Sequence, residues 1–361
     1  MYSAFRNFIA IYPGSWKRRI AEPPYNCIVK TEGKYTIVKY NQFDSDFSNP
    51  VVIEARGTIV DDNNKIVCFP FYKFFNYGEP YAQEINWATA TVWEKCDGSL
   101  IKLWFDKGWH VSTNGSIDAY KTKLDSDNLV AKYKTFGELF DAALDFDINM
   151  LDKTYTHMFE LCSPYNQIVV KYPSPMLYYL GSRNMETFEE EYLPLPVNMP
   201  NRYPLTSLDY CIAAAEKLGD NAEGFVVCDN NYHRIKVKNP IYILNHHAAS
   251  SPLSTSKLCD LIKSGEIDEV ISYFTQYQDT VNYIRAKAEY KAQHLVEKRE
   301  EVDKLLKQLK AEYVKGIREI APYDFDYFMK VWDDHSYKPQ IYINNMTTEN
   351  YIRYLGVRDD K

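Results

Sequence analysis

The sequence predicts an α+β domain of mainly antiparallel strands followed by an all-α domain. Three observations carry this. Short runs of β-branched and aromatic residues, bounded by Asp, Asn, Gly and Pro, recur up to about Asn245. From His246 onwards that pattern nearly vanishes, and Leu253 to Ile320 is charged, with Val281, Ile284, Ala288, Leu295, Val302, Leu305 and Leu309 near heptad spacing. The length, 361 residues, suffices for two sizeable cores. The expected domains are therefore 1–245 and 246–361.

The first fifty residues read as mixed, with a strand at Tyr35 to Tyr40. Thr58 to Val60 and Lys65 to Phe69 read as strands around an Asp61-Asp62-Asn63-Asn64 turn. Thr91 to Trp93 and Leu100 to Phe105 read as strands on either side of Asp97-Gly98, a turn signal because glycine accepts positive φ. Leu129 to Leu144 has helical spacing. His157 to Cys162 and Gln167 to Val170 read as strands around Ser163-Pro164-Tyr165-Asn166, and Met176 to Leu180 as another. Glu189 to Pro204 is proline-rich and reads as a loop, and Leu208 to Leu218 as a helix stopped by Gly219. Gly224 to Cys228 and Arg234 to Val237 form a hairpin pattern around Asp229-Asn230-Asn231. In the C-terminal part, Lys291 and Lys298 interrupt the apolar stripe, which favours a packed helical hairpin over a coiled coil.

Composition excludes several classes. Hydrophobic residues at 45% and charged residues at 25% are those of an ordinary globular protein. A net charge of −7 means that any nucleic acid must be held by a local basic cleft and not by a global field. Thirty-one tyrosines are compatible with base stacking, and equally with half-buried sheet positions. The seven cysteines form no Cys-x-x-Cys pair, so neither a zinc site nor a disulfide framework is expected and a reducing compartment fits. No apolar run is long enough for a signal peptide or a membrane span, so a cytoplasmic location, the host cytoplasm if the source is viral, is expected. His246-His247 and Ser250-Ser251 are read as solvent-exposed, and His110 as a strand residue without a role.

The stretch Trp93-Glu94-Lys95-Cys96-Asp97-Gly98-Ser99 places a lysine at a strand end, facing whatever cleft the sheet forms. A lysine amine becomes a nucleophile when burial or neighbouring cations lower its pKa. Taken alone, such a lysine is more often a solvated neighbour of a turn. Other segments change that balance: Glu54-Ala55-Arg56-Gly57, Lys73-Phe74-Phe75-Asn76, Phe159-Glu160-Leu161, Glu223-Gly224-Phe225-Val226 and Lys236-Val237-Lys238, in this order around Lys95. Lys236 and Lys238 alternate with Val237, so both project to one face of a strand.

This ordered set, spanning about residues 35–245, resembles the covalent nucleotidyltransferase superfamily of ligases and capping enzymes. Within it, the segments around Arg56 and Lys73 resemble the bacteriophage-type ATP-dependent RNA ligases that repair tRNA. The resemblance implies an ATP-grasp-like nucleotidyltransferase domain of antiparallel sheets with flanking helices, then an α-helical RNA-specificity domain. It implies joining of RNA 5′-phosphate and 3′-hydroxyl ends, with ATP and Mg2+ (or Mn2+), through a lysyl-AMP on Lys95 and then an RNA-adenylate. Lys95 would be uncharged, its cationic neighbours and the metal offsetting the triphosphate. The resemblance further implies that Lys236 and Lys238 contact the α-phosphate and that Glu223 serves the metal. Glu160 would face the ribose, Arg56 and Lys73 would touch the nucleotide or its phosphates, and the backbone at Glu94 would read the adenine edge beside a stacking side chain. Asp97 and Gly98 would shape the loop. Asn114, in Thr113-Asn114-Gly115-Ser116, departs from the basic residue usual in that family and supplies no charge. The expected partner is RNA, with nicked tRNA the leading candidate, bound by a monomer and without a membrane. A non-catalytic RNA-end-binding protein and another polynucleotide ligase of the superfamily are the alternatives. The first is expected to lose Lys95, Glu223 or the strand lysines. DNA ligases and capping enzymes place a β-barrel where this chain turns helical.

Overall fold

A computed structural model describes residues 3–124, 132–219, 221–246, 253–305 and 310–357. The chain divides into two compact units, Met1–Ala248 and Ala249–Lys361. In the first unit the strands are, in chain order, β1 (Ile28–Glu32), β2 (Tyr35–Lys39), β3 (Arg56–Val60), β4 (Ile66–Cys68), β5 (Phe75–Asn76), β6 (Thr91–Glu94), β7 (Ser99–Phe105), β8 (Trp109–Thr113), β9 (Tyr155–Cys162), β10 (Met176–Asn184), β11 (Glu190–Glu191), β12 (Arg202–Tyr203), β13 (Gly224–Cys228) and β14 (Arg234–Lys238). They make three sheets, ordered β1-β2-β3-β4, β11-β10-β9-β7-β8 and β12-β6-β13-β14-β5. The pairing is antiparallel apart from the short parallel contact of β5 with β14.

Period-two alternation gives each sheet its apolar face. Ile101 and Leu103 of β7 and Phe159 and Leu161 of β9 enter one core beneath the helix Phe136–Ala143. Val92, Phe225, Val227, Ile235 and Val237 enter another, against the helix Leu208–Ala215. The residues between them, Leu100 and Glu160 on one sheet and Trp93, Val226 and Lys236 on the other, line a shared cleft.

Several elements differ from the sequence expectation. Two helices, Ala4–Ile11 and Trp16–Ala21, open the chain where only a mixed pattern is legible. The first is fixed by Glu54, which accepts from Ser3 Oγ (2.6 Å), Ala4 N (3.0 Å) and Phe5 N (2.9 Å). Glu54 thus caps a helix and stays out of the cleft. The expected helix 129–144 begins only at Phe136, where Thr135 caps it by accepting from Glu138 N; Leu129 lies outside the described residues. Gln167 to Val170 is not a strand, because the N–H groups of Val169 and Val170 donate to Asp97 Oδ2 (2.9 and 2.7 Å) and not to a ladder. The loop 189–204 contributes two short edge strands, β11 and β12.

Nor do β6 and β7 form a hairpin: they belong to different sheets, and Asp97-Gly98 is the crossover between them. Gly98 is required by crowding and not by a positive φ, since a Cβ there would lie 2.3 Å from the Leu161 carbonyl oxygen.

The second unit is helical. Its longest helix, Gln278–Val302, buries Val281, Ile284, Ala288, Leu295 and Val302. The helices Thr255–Ser264, Lys310–Ile320, Pro339–Asn344 and Thr348–Leu355 pack against it, a bundle and not a single hairpin. Leu309, His247, Ser250 and Ser251 lie outside the described residues. None of the seven cysteines is in a disulfide, and all are buried. Among the described residues no helix is long and apolar enough to cross a membrane.

Candidate active site

The cleft between the two five-stranded sheets has a volume of about 310 Å3. On one wall, β6 runs into Lys95, whose N–H donates to the Gly224 carbonyl (2.9 Å). This places Lys95 beside the start of β13, where Gly224 has φ +135°. A Cβ at that position would come within 2.3 Å of the Val237 carbonyl oxygen, so glycine is what lets β13 and β14 close just after Glu223. Glu223 is 4% exposed and bridges two cations. Its Oε2 lies 2.7 Å from Lys95 Nζ and its Oε1 3.6 Å from Lys238 Nζ. Val237 is fully buried, so Lys236 and Lys238 share the opposite face of β14.

The charge states follow from these contacts. Burial acts to lower the pKa of Lys95, but the carboxylates of Glu223, Glu160 and Asp97 outweigh it and hold the ammonium well above the ordinary lysine range. In the free protein the nearest partner of Lys95, 2.7 Å away, is an anion. The cationic crowding falls instead on Lys236. Burial, then Lys238, Lys73 and Lys95, bring its pKa down to about 7. On the facing wall, burial raises Glu160 to about 7, against the pull of Lys95 and Arg56 and with a push from Glu223.

Arg56, at the start of β3, also lines the cleft, with its guanidinium 5.1 Å from the Phe74 ring centroid. Its Nη1 is buried and finds no hydrogen-bond partner among the described residues, as does Asn114 Oδ1 nearby. Asp97 is 2% exposed and fixes the crossover: beyond Val169 and Val170, its Oδ1 accepts from Tyr242 Oη (2.9 Å).

Two expected contacts are arranged differently. The Lys73 ammonium is not among the groups lining the cleft but sits within 4.8 Å of the ring centroids of Tyr40, Phe47 and Phe75. This three-ring cage holds it by cation–π attraction, and its charge reaches the cleft through Lys236. Glu94 does line the cleft, but its N–H already donates to the Asn201 carbonyl (2.7 Å) because the chain leading into β12 lies along β6. A base edge presented there meets a filled donor.

Sequence reasoning misses a buried triad at the inner end of the cleft. Glu190 joins Arg183 on β10 (2.5 Å) to Arg234 on β14 (2.6 Å), tying the two sheets together. Arg234 is on the same face as Lys236 and Lys238, so the alternation could have found it. Glu190 sits in the proline-rich stretch and gives no such signal. Trp93 stacks on Tyr192 (5.6 Å, 29°), and both line the cleft as the aromatic surface beside Lys95.

Among the described residues no three His, Cys, Asp or Glu side chains make a self-sufficient metal cage. Magnesium bound with polyphosphates takes one or two protein carboxylates, the phosphates and water completing its shell. Glu160, which lines the cleft, and Glu223, which does not line it but is paired with Lys95 and electrostatically coupled to Glu160, fit that donor set.

A cleft with a charged lysine, a shared carboxylate and further cations is suited to transfer of a phosphorus group to an amine. The family comparison agrees: residues 54–242, just over half the chain, match the RNA ligase family model, and this chain belongs to that family. A protein of Autographa californica nuclear polyhedrosis virus, named as a bifunctional polynucleotide kinase/RNA ligase, is 35% identical over 285 residues. That match covers 71% of this chain and 40% of the viral protein, so the chain spans well under half of that relative's length. An RNA ligase of Rhodothermus phage RM378 is 25% identical, covering 67% of this chain and 70% of its own. An archaeal ATP-dependent RNA ligase structure overlaps with a TM-score of 0.46 at 12% identity, covering 79% of this chain and 83% of that one.

Proposed function

We propose that this chain is an ATP-dependent RNA ligase that joins 5′-phosphate and 3′-hydroxyl ends in three nucleotidyl transfers. The observation that carries this reading is Lys95 held 2.7 Å from Glu223 in the cleft that Lys236 and Arg56 also line. Lys95 Nζ gives up a proton to solvent and attacks the α-phosphorus of ATP; an N–P bond forms, the α–β phosphoanhydride bond breaks, pyrophosphate leaves, and the nitrogen releases its second proton to solvent. An oxygen of the RNA 5′-phosphate then attacks the AMP phosphorus; a phosphoanhydride bond forms, the N–P bond breaks, Lys95 recovers its two protons from solvent, and AMP passes to the RNA. The 3′-hydroxyl attacks that 5′-phosphate and AMP leaves. A divalent cation, when bound at Glu223 and Glu160, supplies charge stabilisation at phosphate oxygens.

The chain's own cations complete the arrangement. Lys236, half neutral near pH 7 in the free protein, gains its proton as polyphosphate arrives, and with Lys238 faces the α-phosphate. Arg56 offers an unpaired N–H to phosphate or ribose oxygen. Trp93 and Tyr192 give the base an apolar aromatic surface. Residues 1–245 act as the adenylyltransferase and the helical unit selects the RNA, with nicked tRNA the substrate we favour and a monomer the working form.

Incubation with labelled ATP and magnesium should leave an acid-stable AMP adduct on the protein. Single-stranded RNA with a 5′-phosphate should then circularise while nicked duplex DNA stays open. An adduct without RNA joining would confine the reading to nucleotidyl transfer; no adduct at all would overturn it.

A further inference from the structure

Beneath the cleft floor lies a cation that none of the steps above uses. Lys102, in the middle of β7, is fully buried. It follows Leu100 on the cleft-side face of its sheet, with Ser112 of β8 and Met158 of β9 as cross-strand partners. Among the described residues its ammonium has no carboxylate partner; its hydrogen-bond acceptor is the Gly57 carbonyl. A buried lysine without an anion is expensive, by several kcal/mol. Burial, opposed by Cys68 and helped by Arg56, brings its pKa down to about 8.

The surroundings show what the charge faces. Gly57 has φ +82°, and a Cβ there would lie 2.9 Å from Lys102 Nζ, 2.9 Å from Asn114 Oδ1 and 2.6 Å from the Asn114 carbonyl oxygen. Lys102 and Asn114 thus converge on the space of one methyl group. Asn114 lines the cleft with Arg56, whereas Lys102 is fully buried and does not. The two buried polar atoms without partners at this corner are Arg56 Nη1 and Asn114 Oδ1. A methionine could fill the volume of the lysine stem, but it could neither hold the Gly57 carbonyl nor place a charge behind a neutral amide.

We propose that Lys102 is a positioning residue for the nucleotide: it fixes Gly57, and so Arg56 beside it, and adds on the inner side of Asn114 a second positive charge to the one Arg56 brings to this corner. This rests on the reading of the cleft as an ATP site.

The test is a double-substitution cycle on the full chain, read as ATP affinity by calorimetry with magnesium present, with circular dichroism confirming the fold of each variant. Lys102→Met should weaken ATP binding by about tenfold or more. Asn114→Lys, which moves the cation to the cleft surface, should recover about tenfold in the Lys102→Met background and gain less than about threefold in the wild type. Equal gains in both backgrounds, or a folded Lys102→Met protein that binds ATP like the wild type, would overturn the proposal. If Lys102→Met does not fold, Asn114→Lys alone decides: a gain of about tenfold in the wild type would show that Lys102 does not already serve this corner, and would overturn the proposal. A wild type that binds no ATP would instead remove the ATP reading itself.

Discussion

Lysines at two corners of one cleft show what a carboxylate does to a buried amine. On the β6–β13–β14 wall, Lys95 has Glu223 at 2.7 Å and is held as an ammonium against the cost of burial. At the floor, Lys102 has only the Gly57 carbonyl, and burial brings it down to about 8. Lys236 lies on the first wall but behaves like the second, because its closest charged neighbours are cations. Proximity to one carboxylate, more than depth, sorts the amine held above the ordinary lysine range from those brought below it. In the proposed mechanism the paired corner holds the group that reacts, and it must exchange its partner to do so. The unpaired corners gain charge when an anion arrives, which suits them to binding.

Substitutions can break this comparison at either corner. The largest effect is expected from Lys95→Ala, which should cut formation of the AMP adduct by about 10^3-fold or more without unfolding the chain, because no other amine replaces a positioned nucleophile. Next comes the fastener between the walls. Glu190→Ala leaves Arg183 and Arg234 buried without their shared anion and should cost about 3–5 kcal/mol in urea unfolding.

Two smaller effects have opposite signs in pH. The pKa of Glu160 is raised to about 7, so its contribution to stability is complete below the ordinary carboxylate range and is lost as pH climbs through 7. Glu160→Gln should therefore gain stability relative to the wild type between pH 5 and 8, by on the order of 2 kcal/mol. The pKa of Lys236 is depressed to about 7, so its contribution is present above the ordinary lysine range and fades as pH falls towards 7. Lys236→Met should remove that decline, an effect of on the order of 1–2 kcal/mol between pH 9 and pH 7. Urea midpoints measured across this range would read both.

The residues proposed to do chemistry were more legible than the frame that holds them. Lys95, Glu223, Lys236 and Lys238 sit in short motifs at strand ends, where alternation alone puts the two strand lysines on one face. Their charge states were not legible, since these depend on which carboxylate comes within about 3 Å across the fold. The Asp97-Gly98 pair looks like a hairpin, but its glycine answers to the Leu161 carbonyl of a distant strand. Val169 and Val170 have strand-like side chains, yet their N–H groups are claimed by Asp97. Lys102 reads as one polar residue in an apolar strand; only the approach of Gly57 and Asn114 shows that it lies under the cleft.

The central claim is that the anion-paired lysine, and not the half-neutral one, carries the nucleotide. Peptide mapping of the AMP-labelled protein by mass spectrometry tests this most directly. The account predicts the phosphoramidate on Lys95 alone; an adduct on Lys236, the amine already closest to neutral, would contradict it.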